Sequence, residues 1–278
     1  MGEGAAGTRG TGASSVSPLL AAAVGGRGLV DPNEPVFFAD DEALLRGAAA
    51  FETVRIRGGV PVLLDGHVDR LVGSAVSLRL PAPEGAADLA RVAAAAAAVD
   101  EGVVRLFYTG RTLVATVSPL PPGLDALRTR GITVVTSRSI ASGLLTGVKA
   151  TSYAANLAAV AEAERQGADD ALFLTTDGTV LELTMANIWW RNGDVLSTPS
   201  LSTGVLPGVT RSAVMRVATE LGYRVQEGEY PLASVLAADE AFTSSAVREV
   251  LPIVAIDGHE LPRGEAARRV QAALEALR

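Results

Sequence analysis

Lys149 is the only lysine in this chain of 278 residues, and every other strongly basic side chain is an arginine. A lysine amine can lose its proton and form an imine with a carbonyl compound, whereas an arginine side chain stays charged. The residues around Lys149 are mostly small or apolar, and such surroundings favour a lowered pKa. The sequence therefore indicates a lysine used in covalent chemistry, and a solvated surface lysine is the alternative.

A carboxylate, Glu182, lies within an apolar, strand-like run at residues 179–183. A buried carboxylate needs a cation or hydrogen-bond donors as partners. A protonated pyridine nitrogen would be such a partner, and the ion pair would keep the ring electron-withdrawing. A glutamate at a strand edge that faces water is the alternative interpretation.

Two features are suited to binding a small anion. Residues 208–211 open a predicted helix, whose first free N–H groups can hold a phosphate, with the Thr210 hydroxyl as a further donor. Arg70, on another predicted helix, can bind a phosphate through two N–H groups at once. A plainly capped helix and a solvated arginine are the respective alternatives.

These residue types match the demands of pyridoxal 5′-phosphate (PLP). That cofactor needs a lysine for its Schiff base, an acid against its pyridine nitrogen, donors for its phosphate and a group near its ring hydroxyl. The chain contains candidates for all four. The sequence therefore predicts a PLP enzyme with Lys149 as its catalytic residue.

Composition excludes several other classes of function. The net charge of −7 argues against a general nucleic-acid binder, and the absence of cysteine rules out disulfides and thiolate metal sites. Two histidines are too few for a histidine-rich metal site. No apolar run approaches the roughly 20 residues of a membrane helix, so we expect a cytoplasmic protein that does not bind membranes.

The candidate residues fall on predicted strands and helices that mix without strict alternation, which predicts an α+β fold in two domains. The Pro-rich residues 119–123 cannot continue a helix or a central strand, so they predict the linker. We expect a flexible tail at 1–27, a small domain at 28–120 and a larger PLP-binding domain at 121–278. The main predicted elements are a strand at 36–38, a hairpin at 51–57 and 60–64, a strand at 187–190, and helices at 67–80, 152–166 and 209–221.

Several segments between residues 37 and 257 together resemble the class IV aminotransferase family, also called fold-type IV PLP enzymes. The family includes branched-chain and D-amino-acid aminotransferases and 4-amino-4-deoxychorismate lyase. The matching segments are residues 51–55, 64–71, 149–156, 167–187, 207–211, 238–242 and 252–258. Any one of them alone would be a weak signal.

The resemblance implies a role for each matching residue. Lys149 would carry the Schiff base, Tyr153 would lie near the ring hydroxyl, Glu182 would face the pyridine nitrogen and Arg70 would bind the phosphate. Further cofactor contacts are implied for Asn187, Val209, Thr210 and Ser245. The family also implies a homodimer with its active site near the domain junction.

The chain departs from the family pattern at three positions. Leu183 follows the glutamate where a glycine is usual, and Ala186 precedes Asn187 where serine or threonine is usual. Ala246 replaces the usual phosphate-binding threonine, and Ser245 is the candidate substitute. The departures predict a looser phosphate cup.

Three functions remain open from the sequence. The first is aminodeoxychorismate lyase, which residues 185–193 and the four-residue step from Lys149 to Tyr153 favour. The two carboxylates of its substrate would bind Arg105 and Arg248; the alternative is that these are ordinary surface arginines. The second is an aminotransferase acting on branched-chain or D-amino acids with a 2-oxo acid acceptor. The third is a non-catalytic PLP-binding protein.

Overall fold

Two β-sheets organise this computed structural model, which describes residues 18–138, 143 and 145–277. The first sheet has six antiparallel strands in the order β2-β1-β6-β5-β3-β4. Its strands are β1 (Ala21–Val24), β2 (Gly28–Val30), β3 (Ala50–Arg57), β4 (Val60–Pro61), β5 (Glu101–Tyr108) and β6 (Leu113–Ser118).

The second sheet has nine strands in the order β12-β11-β10-β13-β14-β7-β8-β9, with β15 paired to β14. Strand β7 runs parallel to both of its neighbours, and β11 runs parallel to β12, so the sheet is mixed. Its strands are β7 (Ile132–Arg138), β8 (Asp170–Leu174), β9 (Val180–Leu183), β10 (Asn187–Asn192), β11 (Val195–Pro199), β12 (Arg224–Gly228), β13 (Glu240–Ser245), β14 (Glu249–Ile256) and β15 (His259–Glu260).

Helices cover the sheets. The helices are α1 (Glu42–Arg46), α2 (Leu64–Ser77), α3 (Ala86–Ala97), α4 (Leu124–Arg130), α5 (Ala154–Arg165), α6 (Val209–Glu220), α7 (Leu232–Leu236) and α8 (Ala266–Glu275). Helices α2 and α3 pack on the first sheet. Trp189 and Trp190 are adjacent on β10 and both fully buried. Because successive side chains of a strand point to opposite faces, both faces of the second sheet are covered there.

A buried carboxylate joins the two sheets. Glu249, at the start of β14, accepts hydrogen bonds from Arg55 and Arg57 of β3 and, at 2.8 Å, from Arg128 of α4. Arg55 also donates to the carbonyl of Val247 at 3.0 Å. The turn before β14 is therefore fixed to the first sheet.

The predicted α+β class and its fold-type IV architecture are confirmed, and the predicted helices and hairpin near the candidate residues are present within a few residues of their predicted bounds. The predicted strand at 36–38 is wrong, because that segment is irregular. The predicted tail at 1–27 is wrong for Ala21–Val24, which form a buried strand paired with β6. Alanine has a low strand propensity, so pairing with β6 rather than local preference places this segment in the sheet. Residues 1–17 lie outside the described part of the chain.

The change from one sheet to the other falls between Ser118 and Ile132, where the linker was predicted. The domain boundary itself stays a prediction. Among the described residues, no helix is both long and apolar enough to cross a membrane.

Candidate active site

The backbone of Lys149 is attached to the first sheet and its helix. Its carbonyl oxygen accepts a hydrogen bond from Phe51 N at 3.1 Å, and its N–H donates to the buried Ser74 hydroxyl of α2, also at 3.1 Å. Ala50 and Ala150 form an isolated antiparallel bridge beside it. Lys149 was predicted in the larger domain. In the structure its segment pairs with the first residues of β3, in the first sheet.

Two aromatic rings surround the Lys149 amine. The Nζ atom lies 4.3 Å from the centre of the Phe51 ring and 5.5 Å from that of Tyr153, and the two rings meet edge to face. Burial, and next the charge of Arg70, lower the pKa of Lys149 to about 8. A substantial fraction of the amine is therefore neutral near physiological pH, the form that attacks a carbonyl.

Tyr153 immediately precedes α5, which begins at Ala154. Burial, reinforced by the negative charge of Glu182, raises the pKa of the Tyr153 phenol to about 12. The phenol therefore keeps its proton and can donate a hydrogen bond at neutral pH. This suits the place near a ring hydroxyl that the resemblance implied.

Glu182 lies on β9, and its carboxylate has two neutral hydrogen-bond donors. Leu206 N donates to Oε1 at 3.0 Å, and Asn187 Nδ2 donates to Oε2 at 2.9 Å. Among the described residues, no cationic side chain forms an ion pair with it, and burial raises its pKa to about 7. A carboxylate in this state can accept a further, charged donor such as a protonated pyridine nitrogen, so the acid fits the group that PLP would bring.

Asn187 joins Glu182 to the start of α6. Its Nδ2 also donates to the carbonyl of Leu206 at 3.0 Å. A Cβ atom at position 208 would collide with the Asn187 side-chain oxygen, so only glycine allows this approach. The loop before α6 is thereby held against the carboxylate.

The N-terminus of α6 is suited to an anion. Its N-cap, Gly208, supplies no side-chain cap, so the first-turn N–H groups of Val209 and Thr210 are not capped from there. Arg70 reaches the same place, because its Nη1 donates to the carbonyl of Pro207 at 3.2 Å. Backbone donors of the first turn and the Arg70 guanidinium thus lie at one place, where a phosphate could bind.

Ser245 is the last residue of β13, opposite Glu249. Its neighbour Ala246 lines a cavity of about 20 Å³ together with Thr210 and His67. The position where the family has a threonine therefore adjoins the first turn of α6. Whether Ser245 contacts the phosphate stays a prediction.

The two predicted substrate arginines differ in their surroundings. Arg105, on β5 opposite Thr53, is exposed, and its charge contributes to lowering the pKa of Lys149. Arg248 instead lies 3.3 Å from the buried Asp170. Arg105 is thus the better placed of the two for a substrate carboxylate.

Sequence reasoning missed three residues that support the site. Phe51 and Glu52 entered only as part of a matching segment, and Ser74 was not singled out. Ser74 lies 75 positions before Lys149, so no local pattern indicates their contact. Successive side chains of a strand point to opposite faces. This alternation along β3 predicts that Phe51 and Glu52 face opposite sides of the sheet, and it was the available signal for them.

Comparison with known proteins agrees with this geometry. The model of the family described as "Amino-transferase class IV" matches residues 49–256. The chain belongs to the class IV aminotransferase family. It is therefore a PLP-dependent lyase or transaminase, and its cofactor is PLP.

Two relatives of this class IV enzyme align over most of its length. Aminodeoxychorismate lyase of Bacillus subtilis is 29% identical, covering 89% of this chain and 90% of the relative. A bifunctional aminodeoxychorismate lyase / D-amino acid transaminase of Mycobacterium tuberculosis is 32% identical, covering 84% and 91%. A solved structure, the PLP-bound form of a hypothetical aminotransferase from Mycobacterium tuberculosis, superposes with a TM-score of 0.84 at 29% identity, covering 91% and 98%.

Proposed function

We propose that the class IV enzyme is an aminodeoxychorismate lyase, which converts 4-amino-4-deoxychorismate to 4-aminobenzoate and pyruvate. The observation that carries the proposal is the near full-length similarity to two relatives named for this activity, at 29% and 32% identity. The site geometry is compatible with it, because Glu182 and Arg70 lie close enough to the Lys149 amine for their charges to act on it, and Arg70 also reaches the start of α6.

In this proposal each residue binds a different part of the cofactor. PLP supplies a carbonyl that bonds to the substrate amine and a ring that withdraws electrons from it. Lys149 Nζ would bond to the cofactor carbonyl between turnovers, and the Glu182 carboxylate would keep the ring nitrogen protonated. Tyr153 would donate a hydrogen bond to the ring hydroxyl and keep its proton. The first turn of α6 and Arg70 hold the phosphate.

Lys149 also moves the protons of the lyase reaction. With the substrate bound, the Lys149 amine would take a proton from the substrate ring and return one to the carbon of the enolpyruvyl group that leaves as pyruvate. A pKa of about 8 suits a group that must act as base and then as acid near neutral pH. The exposed Arg105 binds a substrate carboxylate.

The direct test supplies PLP-loaded protein with aminodeoxychorismate and no 2-oxo acid. Continuing, equimolar release of 4-aminobenzoate and pyruvate is expected, and Lys149→Ala, loaded in the same way, should release neither. Failure of the cofactor-loaded wild type to release either product would contradict the lyase proposal. It would leave the assignment to the family intact.

An aminotransferase is the second candidate, because one relative is named for both activities. The same residues would serve, but turnover would require a 2-oxo acid as acceptor. A panel of D- and L-amino acids with 2-oxoglutarate or pyruvate separates the two, since the lyase reaction proceeds without the acceptor. A non-catalytic PLP-binding protein would remain yellow and turn over in neither assay.

Two finer expectations belong to the same proposal. We propose a homodimer located in the cytoplasm, in keeping with the family resemblance. Light scattering of the cofactor-loaded protein tests the first expectation, and a mass of a single chain would contradict it.

A further inference from the structure

Glu52 is a completely buried acid on β3. Its Oε1 accepts a hydrogen bond from Arg70 Nε, and its Oε2 accepts one from Arg70 Nη2, both at 2.7 Å. The same Oε2 lies 2.7 Å from Nδ1 of His67, which is also buried. Both partners come from α2, one turn apart, so a single carboxylate binds two side chains of that helix.

The carboxylate is ionised in these surroundings. Burial alone would raise the pKa of Glu52, but hydrogen bonds from Arg70 and His67 outweigh burial, so its pKa is lowered. Taking an ion pair out of water costs free energy that its attraction often fails to recover. Stability alone is therefore a weak explanation for this pair, which points to a role in fixing geometry.

The pair determines where the rest of Arg70 points. A guanidinium is planar, so holding Nε and Nη2 on one carboxylate fixes the direction of Nη1. Nη1 donates to the Pro207 carbonyl, one residue before the N-cap Gly208 of α6. The side chain of Arg70 is only 11% exposed, so it has little room for another orientation.

We propose that Glu52 is the positioning residue of the phosphate site: by holding Arg70 at two nitrogens, it directs the third to the N-terminus of α6. This inference rests on the proposed role of Arg70 as a phosphate ligand. The carboxylate of Glu52 forms its hydrogen bonds with Arg70 and His67, and its charge also raises the pKa of Lys149. Its effect is on selectivity for the phosphate group.

The test compares PLP with pyridoxal, which lacks the phosphate, on the full-length protein freed of cofactor. Titration followed by visible absorbance gives Kd for each compound, and no turnover is needed. Glu52→Gln keeps the shape of the side chain but loses its charge and one acceptor oxygen, so Arg70 is no longer held at two nitrogens. We expect its Kd for PLP to rise about 10- to 100-fold, as for loss of a hydrogen bond between charged groups. Its Kd for pyridoxal should change much less, because the charge of Glu52 also acts on the Lys149 amine, and that influence is shared by both compounds.

A matched control is Glu240→Gln. Glu240 is also buried, but its carboxylate accepts from Ala266 N and Ala267 N at the start of α8. The control should lower Tm and leave both Kd values unchanged. Should Glu52→Gln fail to fold, Glu52→Asp keeps the carboxylate but is one methylene shorter, so it reaches Arg70 less closely, and a smaller loss specific to PLP is expected.

Equal weakening of PLP and pyridoxal in the Glu52 variants, or no change in either, would overturn the inference. Equal Kd values for the two compounds in the wild type would overturn the phosphate site and the inference with it. A wild type that prefers PLP, loses this preference in Glu52→Gln and yet releases no product from aminodeoxychorismate would support the inference while contradicting the lyase proposal.

Discussion

Phe51 contacts Lys149 in two ways. Its N–H donates to the lysine carbonyl at 3.1 Å, and its ring centre lies 4.3 Å from the lysine Nζ. The same residue therefore holds the backbone of Lys149 and contacts its amine. Glu52, the next residue along β3, has its carboxylate on Arg70. Two consecutive residues of one strand thus place the proposed covalent and phosphate contacts of the cofactor.

The first prediction concerns the ring of Phe51. Phe51→Leu keeps the backbone hydrogen bond but removes a cation–π contact that favours the charged amine. The pKa of Lys149 should fall by about half to one unit. The pH dependence of PLP attachment, followed by visible absorbance, should shift to lower pH by that amount. Phe37→Leu is the control, because Phe37 packs on Phe107. An unshifted profile in Phe51→Leu would mean that the ring does not affect the amine.

The second prediction concerns the stability of the cofactor-free protein. The pKa of Lys149 is about 8 in the folded chain against an ordinary value of 10.5. Between these two pH values the unfolded chain binds more protons than the folded chain, so the free energy of unfolding rises with pH. Below about pH 8 the burial of the charged Lys149 amine destabilises the fold by the full amount. The gap corresponds to about 3 kcal/mol.

Lys149→Met should therefore be more stable than the wild type by about 1–3 kcal/mol at pH 7. Urea unfolding of both cofactor-free proteins at pH 7 and pH 10 measures this, and the advantage should shrink at the higher pH. An advantage that grows with pH would show that the amine is stabilised rather than desolvated.

The third prediction concerns the acid at the ring nitrogen. Glu182→Gln keeps the hydrogen-bonding shape but cannot hold a proton on the pyridine nitrogen, so the ring withdraws fewer electrons. We expect kcat to fall on the order of 100-fold, as when one preorganised electrostatic contact is lost. Visible absorbance should show that the variant still binds PLP. Glu240→Gln, whose carboxylate contacts the start of α8 and Arg191, should keep its kcat. A Glu182→Gln enzyme with full kcat would remove Glu182 from this role.

The fourth prediction separates the two candidate substrate arginines. Arg105→Gln should raise KM for aminodeoxychorismate about tenfold to a hundredfold, as expected for loss of a charged hydrogen bond. Arg248→Gln instead leaves the buried Asp170 without its ion-pair partner, so it should lower Tm, with a smaller effect on KM. Steady-state kinetics and thermal unfolding of both variants decide the matter. A larger KM effect at Arg248 would reverse the assignment.

The sequence predicted those parts of the site whose chemistry is visible in residue type. A sole lysine, an acid in an apolar strand and a glycine before a helix are local signals. The structure brings Glu182 close enough for its charge to act on the Lys149 amine, and Glu182 accepts a hydrogen bond from Leu206 N in the loop before Gly208. The buried strand at Ala21–Val24 was missed because its position depends on pairing with β6, which is far along the chain. The attachment of Lys149 to Ser74 and Phe51 is likewise a tertiary contact, and no spacing in the sequence encodes it.

The central claim is that the Lys149 amine holds the cofactor. It is tested most directly by reducing the PLP-loaded protein with sodium borohydride and locating the modified residue by peptide mass spectrometry. Because Lys149 is the only lysine, the N-terminal amine is the main competing site. We predict a pyridoxyl phosphate group on Lys149 and no label at this position in Lys149→Ala. A loaded, reduced protein in which Lys149 is unmodified would contradict the account.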